Sequence, residues 1–443
     1  MTIGVITPKK TKLGPGSARQ DRFKNRLGLR ANRMNALVVR AEKALSQDLC
    51  DHCLGRLFAL VDTGLSNQER GQSLRMAVNL NRALEGKEPL IPHARCSVCD
   101  ELFEIVPRFA VAVVEKLGTL EFETFLVGTR VDPIITEREE RLWGAVSQDH
   151  AETIKAELNR EIGKAVQALI PHEVEFATPD VVALVDTRFC HVELDVSPLF
   201  VYGRYRKLSR EIPQTRWPCN RCRGKGCPKC GGTGKMYQTS VQEIIGDPIL
   251  RDAAGVDHFF HGMGREDIDA RMLGNGRPFV LEVREPKKRR IDLLALQSEI
   301  NEYGRERVEV EGMRFSSREE VRQIKSAAPD KEYRVRVRLE SKVNKERLDE
   351  VVQSFKRIRI TQQTPTRVSH RRADLARERE IKDLVLEDLD GQVAMLRVRT
   401  EAGTYVKEFV HGDSGRTEPS LAGRLGIPCA VESLDVIEIA DQT

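Results

Sequence analysis

Between residues 154 and 166 apolar side chains recur every four positions, at Ile154, Leu158, Ile162 and Val166. Such spacing lays one apolar stripe along an α-helix. It predicts a longer helix that follows a strand around Glu123 to Val131, itself preceded by a short helix from Pro107 to Leu117. Strands fit Val181–Asp186 and His191–Val196. The carboxyl half changes period. Phe279, Leu281 and Val283 alternate with Val280 and Glu282, in a strand entered at Phe279. Tyr333, Val335, Val337 and Leu339 alternate with Arg334, Arg336 and Arg338, the pattern of a strand with one buried side. Leu293, Leu296 and Ile300 mark a helix face, residues 392–399 a further strand, and Leu434 to Ile439 a closing apolar segment. The class is α+β, with two domains and a mixed or largely antiparallel sheet in the second.

Composition narrows this picture. With 443 residues, 40% hydrophobic and 31% charged, the chain reads as globular and multidomain. No apolar run approaches the roughly 20 residues of a membrane span, and the first residues lack a signal-peptide layout, so the expected location is cytoplasmic. Net charge is +5, but its distribution is uneven. Residues 1–40 hold ten Lys or Arg against Asp21 alone, and clusters recur at Arg204 to Arg210 and Lys287 to Arg290. One such block is commonly a solvated face; together they point to a polyanion, gripped through phosphates with salt-sensitive affinity.

Eight of the ten cysteines form Cys-x-x-Cys pairs: Cys50/Cys53, Cys96/Cys99, Cys219/Cys222 and Cys227/Cys230. Two pairs supply the four thiolates of a closed tetrahedral zinc site, structural because no coordination position stays open. The last two pairs abut in CNRCRGKGCPKCGGTG, residues 219–234, a doubled C-x-x-C-x-G-x-G knuckle. The first two are separated by 42 residues and are expected to share one further structural zinc. Cys190 and Cys429 are expected as buried small hydrophobes. A P-loop is excluded, because Met236 follows Gly234-Lys235.

Three stretches of the carboxyl half carry a family resemblance. GMGREDIDARMLGNGRPFVLEV, residues 262–283, contains Gly264-Arg265-Glu266-Asp267. It resembles the active-site motif of the archaeal and eukaryotic tRNA pseudouridine synthases that modify tRNA positions 54 and 55. The resemblance puts the catalytic role on Asp267, with Asp269 as the alternative and Arg265 beside it. KEYRVRVRL, from Lys331, is similar to the family's base-packing strand and implicates Tyr333. GTYVKEF, within residues 399–421, resembles the last shared motif; it assigns substrate contact to Tyr405 and pairing with the catalytic carboxylate to Lys407. QTPTRVSHRRAD, residues 363–374, offers Arg367, Arg371 and Arg372 to RNA phosphates. FLVGTRV, residues 125–131, looks like a THUMP-type RNA-binding region, and the doubled knuckle suggests the archaeal branch.

The resemblance spans roughly residues 46–443. It implies a basic extension over 1–45, a zinc-stabilised THUMP-like RNA-binding domain over 46–200, and a pseudouridine synthase domain over 201–443 with the knuckle inserted at 217–236. The implied partner is tRNA, with no membrane and no obligatory protein partner. The implied reaction is isomerisation of uridine in the T-arm, begun by Asp267 at the ribose, with Arg265 and Lys407 orienting its carboxylate. That exchange needs no organic cofactor and no catalytic metal. The rival reading is a non-catalytic THUMP and zinc-knuckle tRNA-binding protein, which leaves the three carboxyl-half motifs without a task. A THUMP-associated methyltransferase or thiouridine synthetase would need a glycine-rich cofactor or ATP site, and a zinc chaperone would need more repeats.

Overall fold

A computed structural model describes residues 34–440 apart from Asp62, His93 and Arg372, and apart from the side chains of His370 and Arg371. Most of the expected basic extension therefore lies outside the described residues, as do the side chains of Arg371 and Arg372. The chain divides into two compact units, the first ending at Asp195 and the second formed by Val196 onward together with residues 120–122.

The first unit runs α1 (34–44), α2 (Asp51–Arg56), α3 (Asn67–Leu84), α4 (Val106–Leu117), β1 (Thr124–Arg130), α5 (Pro133–Val146), α6 (Ile154–Leu169), β2 (Glu173–Val174), β3 (Val181–Asp186) and β4 (His191–Val196). Its sheet has the order β2-β1-β3-β4, with β1 parallel to both neighbours. The α6 stripe is fully buried, and Phe125, Val127, Val181, Ala183 and Val185 supply the inner face of the sheet. Each of these side chains other than Ala183 contributes about 1.5–3 kcal/mol by leaving water. Where one longer helix was expected after β1, there are two. Asp132 caps α5, Ser147 breaks it at φ +149°, and Thr153 caps α6 by accepting from Ala156 N–H. Cys190 is exposed, not buried: it occupies the turn between β3 and β4 at φ +50°, whereas Cys429 is buried as expected.

The second unit holds β5 (Leu199–Lys207), α7 (Val241–Ala253), β6 (Asp257–Gly262), β7 (Ala270–Arg284), α8 (Leu293–Tyr303), β8 (Val308–Phe315), α9 (Arg318–Ser326), β9 (Lys331–Leu339), α10 (Lys345–Gln353), β10 (Ile358–Gln362), β11 (Arg377–Asp390), β12 (Val393–Thr400), α11 (Val406–His411), β13 (Thr417–Glu418), α12 (Leu421–Leu425) and β14 (Cys429–Ile439). Ten strands form one sheet in the order β13-β10-β11-β12-β9-β14-β7-β5-β8, with β6 on β7. Its pairings are antiparallel except β14 with β7, which run parallel through Leu434–Val436 and Ala270–Met272.

That parallel junction positions the site. β7 starts at Ala270, nine residues before the expected Phe279, because Gly274 lets the strand bend at φ +58°. A side chain there would stand 1.8 Å from the Ile437 carbonyl oxygen of β14. Two sheet segments thus continue in one strand, and the loop before Ala270 lies at the middle of the sheet. No helix among the described residues is long and apolar enough to cross a membrane.

Candidate active site

The loop between β6 and β7 carries Arg265, Asp267 and Asp269, and it is fixed from beneath. Gly264 turns it at φ +86°, where an added Cβ would approach Arg277 Nη1 to 2.9 Å. Glu266 points inward and is 7% exposed. Its two carboxylate oxygens lie 2.9 Å from the Tyr205 hydroxyl, which donates to them. Arg277 Nε stands 2.9 Å from Glu266 Oε2 as an ion pair without hydrogen-bond alignment, and Arg277 Nη1 donates to the Met263 carbonyl at 2.7 Å. Gln214 donates to the Tyr205 hydroxyl at 2.8 Å and to the Gly264 carbonyl at 3.0 Å. Lys207, fully buried, donates to the carbonyls of Ile212, Asp267 and Ile268 at 3.1, 3.2 and 2.6 Å. Burial pulls its pKa down to about 8, against the opposing pull of Glu266 and Asp269.

This corrects the reading of Arg204 to Arg210 as part of a polyanion-binding surface. Arg204 donates to the carbonyls of Asn275 and Gly276, Arg206 pairs with Glu309 and Glu311, and Arg210 pairs with Asp435. The cluster is spent inside the second unit, holding β5, β7, β8 and β14 together.

Above this framework Asp267 opens onto a cavity of about 700 Å³. Its carboxylate is 33% exposed and meets two cations: Arg367 Nη1 at 3.1 Å and Lys407 Nζ at 3.4 Å. Arg367, in the 3-10 turn Thr366–Arg371, also donates from Nε to buried Glu408 at 2.7 Å. Burial works against the Arg367 charge, but Glu408 and Asp267 outweigh it and raise its pKa. Lys407, in the first turn of α11, reaches Asp269 more closely, at 2.7 and 2.8 Å. Burial alone would raise Asp269; the Lys407 hydrogen bond holds it below the ordinary carboxylate value. Tyr333 on β9 lies at the cavity wall, 9% exposed, its phenol pushed up to about 12 by burial despite Arg277. Tyr405 begins α11, its N–H and C=O both clamped by the Gln362 side chain at 2.9 and 3.0 Å.

Asp267, Arg265, Tyr333, Tyr405 and Lys407 thus all line one cavity. The orienting contact expected of Arg265 is absent: its guanidinium sits 5.3 Å from the centroid of the Trp217 ring. Arg367, expected to meet phosphates, holds the carboxylate instead. Sequence reasoning missed the supports, Glu266, Arg277, Tyr205 and Lys207. One signal was available, since Arg277 is the charge that opens the apolar run Phe279–Val283 in the same strand.

Both sets of cysteine pairs converge. The ligand atoms of Cys50, Cys53, Cys96 and Cys99 lie within 4.8 Å of one another, as do those of Cys219, Cys222, Cys227 and Cys230. In the knuckle, Sγ separations are 3.9, 3.9 and 3.7 Å for Cys219–Cys227, Cys222–Cys230 and Cys227–Cys230. Metal–sulfur bonds of about 2.3 Å in a tetrahedron require about 3.8 Å, so the donors fit one four-coordinate ion. The first set is backed by a buried network. Arg56 donates to Cys53 Sγ at 3.5 Å and pairs with Glu139 and Glu157 at 3.0 and 3.1 Å.

Comparison with known proteins identifies the family. The family model described as Pus10, C-terminal, matches residues 200–440, and that described as Pus10 THUMP domain, archaeal, matches residues 109–186. A protein of Halorubrum lacusprofundi named tRNA pseudouridine synthase Pus10 is 42% identical over 92% of this chain and 96% of its own length. A like-named protein of Methanothermobacter marburgensis is 44% identical over 89% of this chain and 95% of its own. A solved Cbf5-Nop10-Gar1 complex covers 54% of this chain and 48% of the matched chain at 16% identity, with a TM-score of 0.30, a likeness too slight to carry structural argument. A model spanning more than half of the sequence, and relatives above 40% identity along nearly all of it, lead to one conclusion: the chain belongs to the Pus10 family and carries the archaeal form of its THUMP domain.

Proposed function

We propose that the cavity isomerises uridine to pseudouridine in the T-arm of tRNA, at position 54, 55 or both, with Asp267 starting the reaction at the ribose. The enzyme class follows from family membership: relatives named tRNA pseudouridine synthase accompany the chain along about nine-tenths of its length. One observation carries the assignment within the cavity. Asp267 combines partial exposure with two cations on its carboxylate and a rigid backbone beneath, so its carboxylate is held and aimed into the cavity. Asp269 is more exposed, and among the described residues its carboxylate pairs with Lys407 alone.

The target base has to leave its stack to reach the cavity, and Tyr333 stands where it can be packed. Asp267 then attacks C1′ or removes the 2′ proton. The bond from N1 to C1′ breaks, the uracil turns, and C5 takes the place of N1 as the C1′ ester to Asp267 breaks or, on the other route, as the proton returns to C2′. The C5 hydrogen departs as a proton and N1 gains one, so atoms balance without an oxidant or energy donor. Arg367 and Lys407 hold the carboxylate throughout, and Arg265 and Tyr405 contact substrate. The THUMP-type region grips the tRNA by shape and backbone. Zinc fits both cysteine sets, where it would brace the fold and take no part in the chemistry.

Tritium release from a tRNA transcript labelled at uridine C5 tests this directly. Release that accompanies pseudouridine in the T-arm is expected. Tight tRNA binding without any release would instead favour a binding protein.

A further inference from the structure

Two aromatic rings of the cavity lie at the ends of the cysteine knuckle. Trp217 precedes it and Tyr237 follows it. Met236 N–H donates to the Trp217 carbonyl at 2.9 Å, Pro218 and Lys235 form an antiparallel bridge, and Cys219 N–H donates to the Gly234 carbonyl at 2.6 Å. Closing the four thiolates therefore closes the neck that bears both rings. The rings meet edge to face, with centroids 5.6 Å apart and planes at 81°. Both line the cavity that holds Asp267, and both are only half-buried. Arg265 completes the group: it is exposed, its guanidinium lies over the Trp217 ring 5.3 Å from the centroid, and it makes no hydrogen bond or ion pair among the described residues.

A packed core would seal these rings; here they face the space that substrate enters. Extruding one nucleotide also unstacks its neighbours, whose exposed faces then need a partner. Indole and guanidinium are the side-chain planes best suited to a single-stranded base, and they stack without regard to base identity. Taking the cavity as the uridine site, we propose that Trp217, with Arg265 stacked on it and Tyr237 at its edge, is a shelf that stacks the nucleobase adjacent to the target uridine. The knuckle's task is to hold that shelf beside the catalytic loop, which gives an apparently remote structural metal site a direct bearing on substrate binding.

A binding cycle tests it. T-arm stem-loop RNAs carry either the natural nucleotide or an abasic one on the 5′ or 3′ side of the target, and each is titrated with wild-type protein, Trp217→Ala, Trp217→Phe and Arg265→Ala. One of the two abasic replacements is expected to weaken wild-type binding roughly tenfold, the usual size of one base–aromatic stack. Trp217→Ala weakens the intact RNA by a similar factor and is indifferent to the same abasic replacement, whereas Trp217→Phe recovers most of the loss. Arg265→Ala, altered on an exposed loop, weakens binding severalfold and shows reduced sensitivity to the abasic site. Zinc content confirms that the knuckle is intact in each variant. Unchanged affinity in Trp217→Ala, or losses that multiply when variant and abasic RNA are combined, would overturn the shelf. Tritium release by wild type, read in parallel, separates the outcomes: turnover with an additive cycle removes the shelf alone, and absence of turnover removes the proposed reaction.

Discussion

Asp267 owes its position to a buried polar network beneath its loop. Glu266, its neighbour, is locked between the Tyr205 hydroxyl and Arg277, both buried. Breaking a buried charge pair from one side strands the other charge, at a cost of about 3–5 kcal/mol. Arg277→Met is therefore expected to lower the unfolding free energy by that order in urea titration, and the double replacement Glu266→Leu with Arg277→Met by less. A loss of only a few tenths for the single change would contradict the pairing. Lys207 supplies a pH signature. Its folded pKa of about 8 lies below its ordinary 10.5 because burial penalises the ammonium. Below pH 8 it is charged in both folded and unfolded chains; between about 8 and 10.5 the unfolded chain binds more protons, so its contribution to stability rises with pH. Lys331, also lowered to about 8 by burial, acts in the same direction. Lys207→Met should flatten part of that rise, measured as unfolding free energy against pH; an unaltered slope would show that Lys207 does not titrate there.

Elements differ in how plainly the sequence announces them. The α6 helix and strands β3, β4 and β9 are legible because one face meets apolar core and the other water, so side-chain polarity follows backbone period. β5 was invisible for the opposite reason: its buried positions include Tyr205 and Lys207, polar groups satisfied by partners far along the chain. β7 is legible in the sequence only from Phe279, since the bend at Gly274 and the glycines around it break the alternation. The motif around Asp267 is legible in the sequence, but the groups that hold it come from β5, β7, the 3-10 turn before β11, and α11, and no local pattern links these. The cysteine clusters yield an element-level expectation. Wild-type protein is expected to carry about two zinc ions per chain, one for each four-thiolate set. Cys99→Ser and Cys222→Ser should each lose about one, read by elemental analysis after dialysis. Full metal content in both variants would exclude four-thiolate sites.

At the scale of the molecule, the ten-stranded sheet gathers segments from across the second unit around its one parallel junction. The loop before β7 brings Asp267, β9 brings Tyr333, the turn after β10 brings Arg367, and α11 brings Lys407. Each contributes one group, which explains why short motifs point to these residues one by one while their mutual geometry is not legible in the sequence. The most direct measurement is a pseudouridine map of an unmodified tRNA transcript treated in parallel with wild-type protein, Asp267→Asn and Asp269→Asn. Pseudouridine in the T-arm with wild type, none with Asp267→Asn, and a reduced but measurable yield with Asp269→Asn is the expected result. Undiminished modification by Asp267→Asn would contradict its role at the centre of the site.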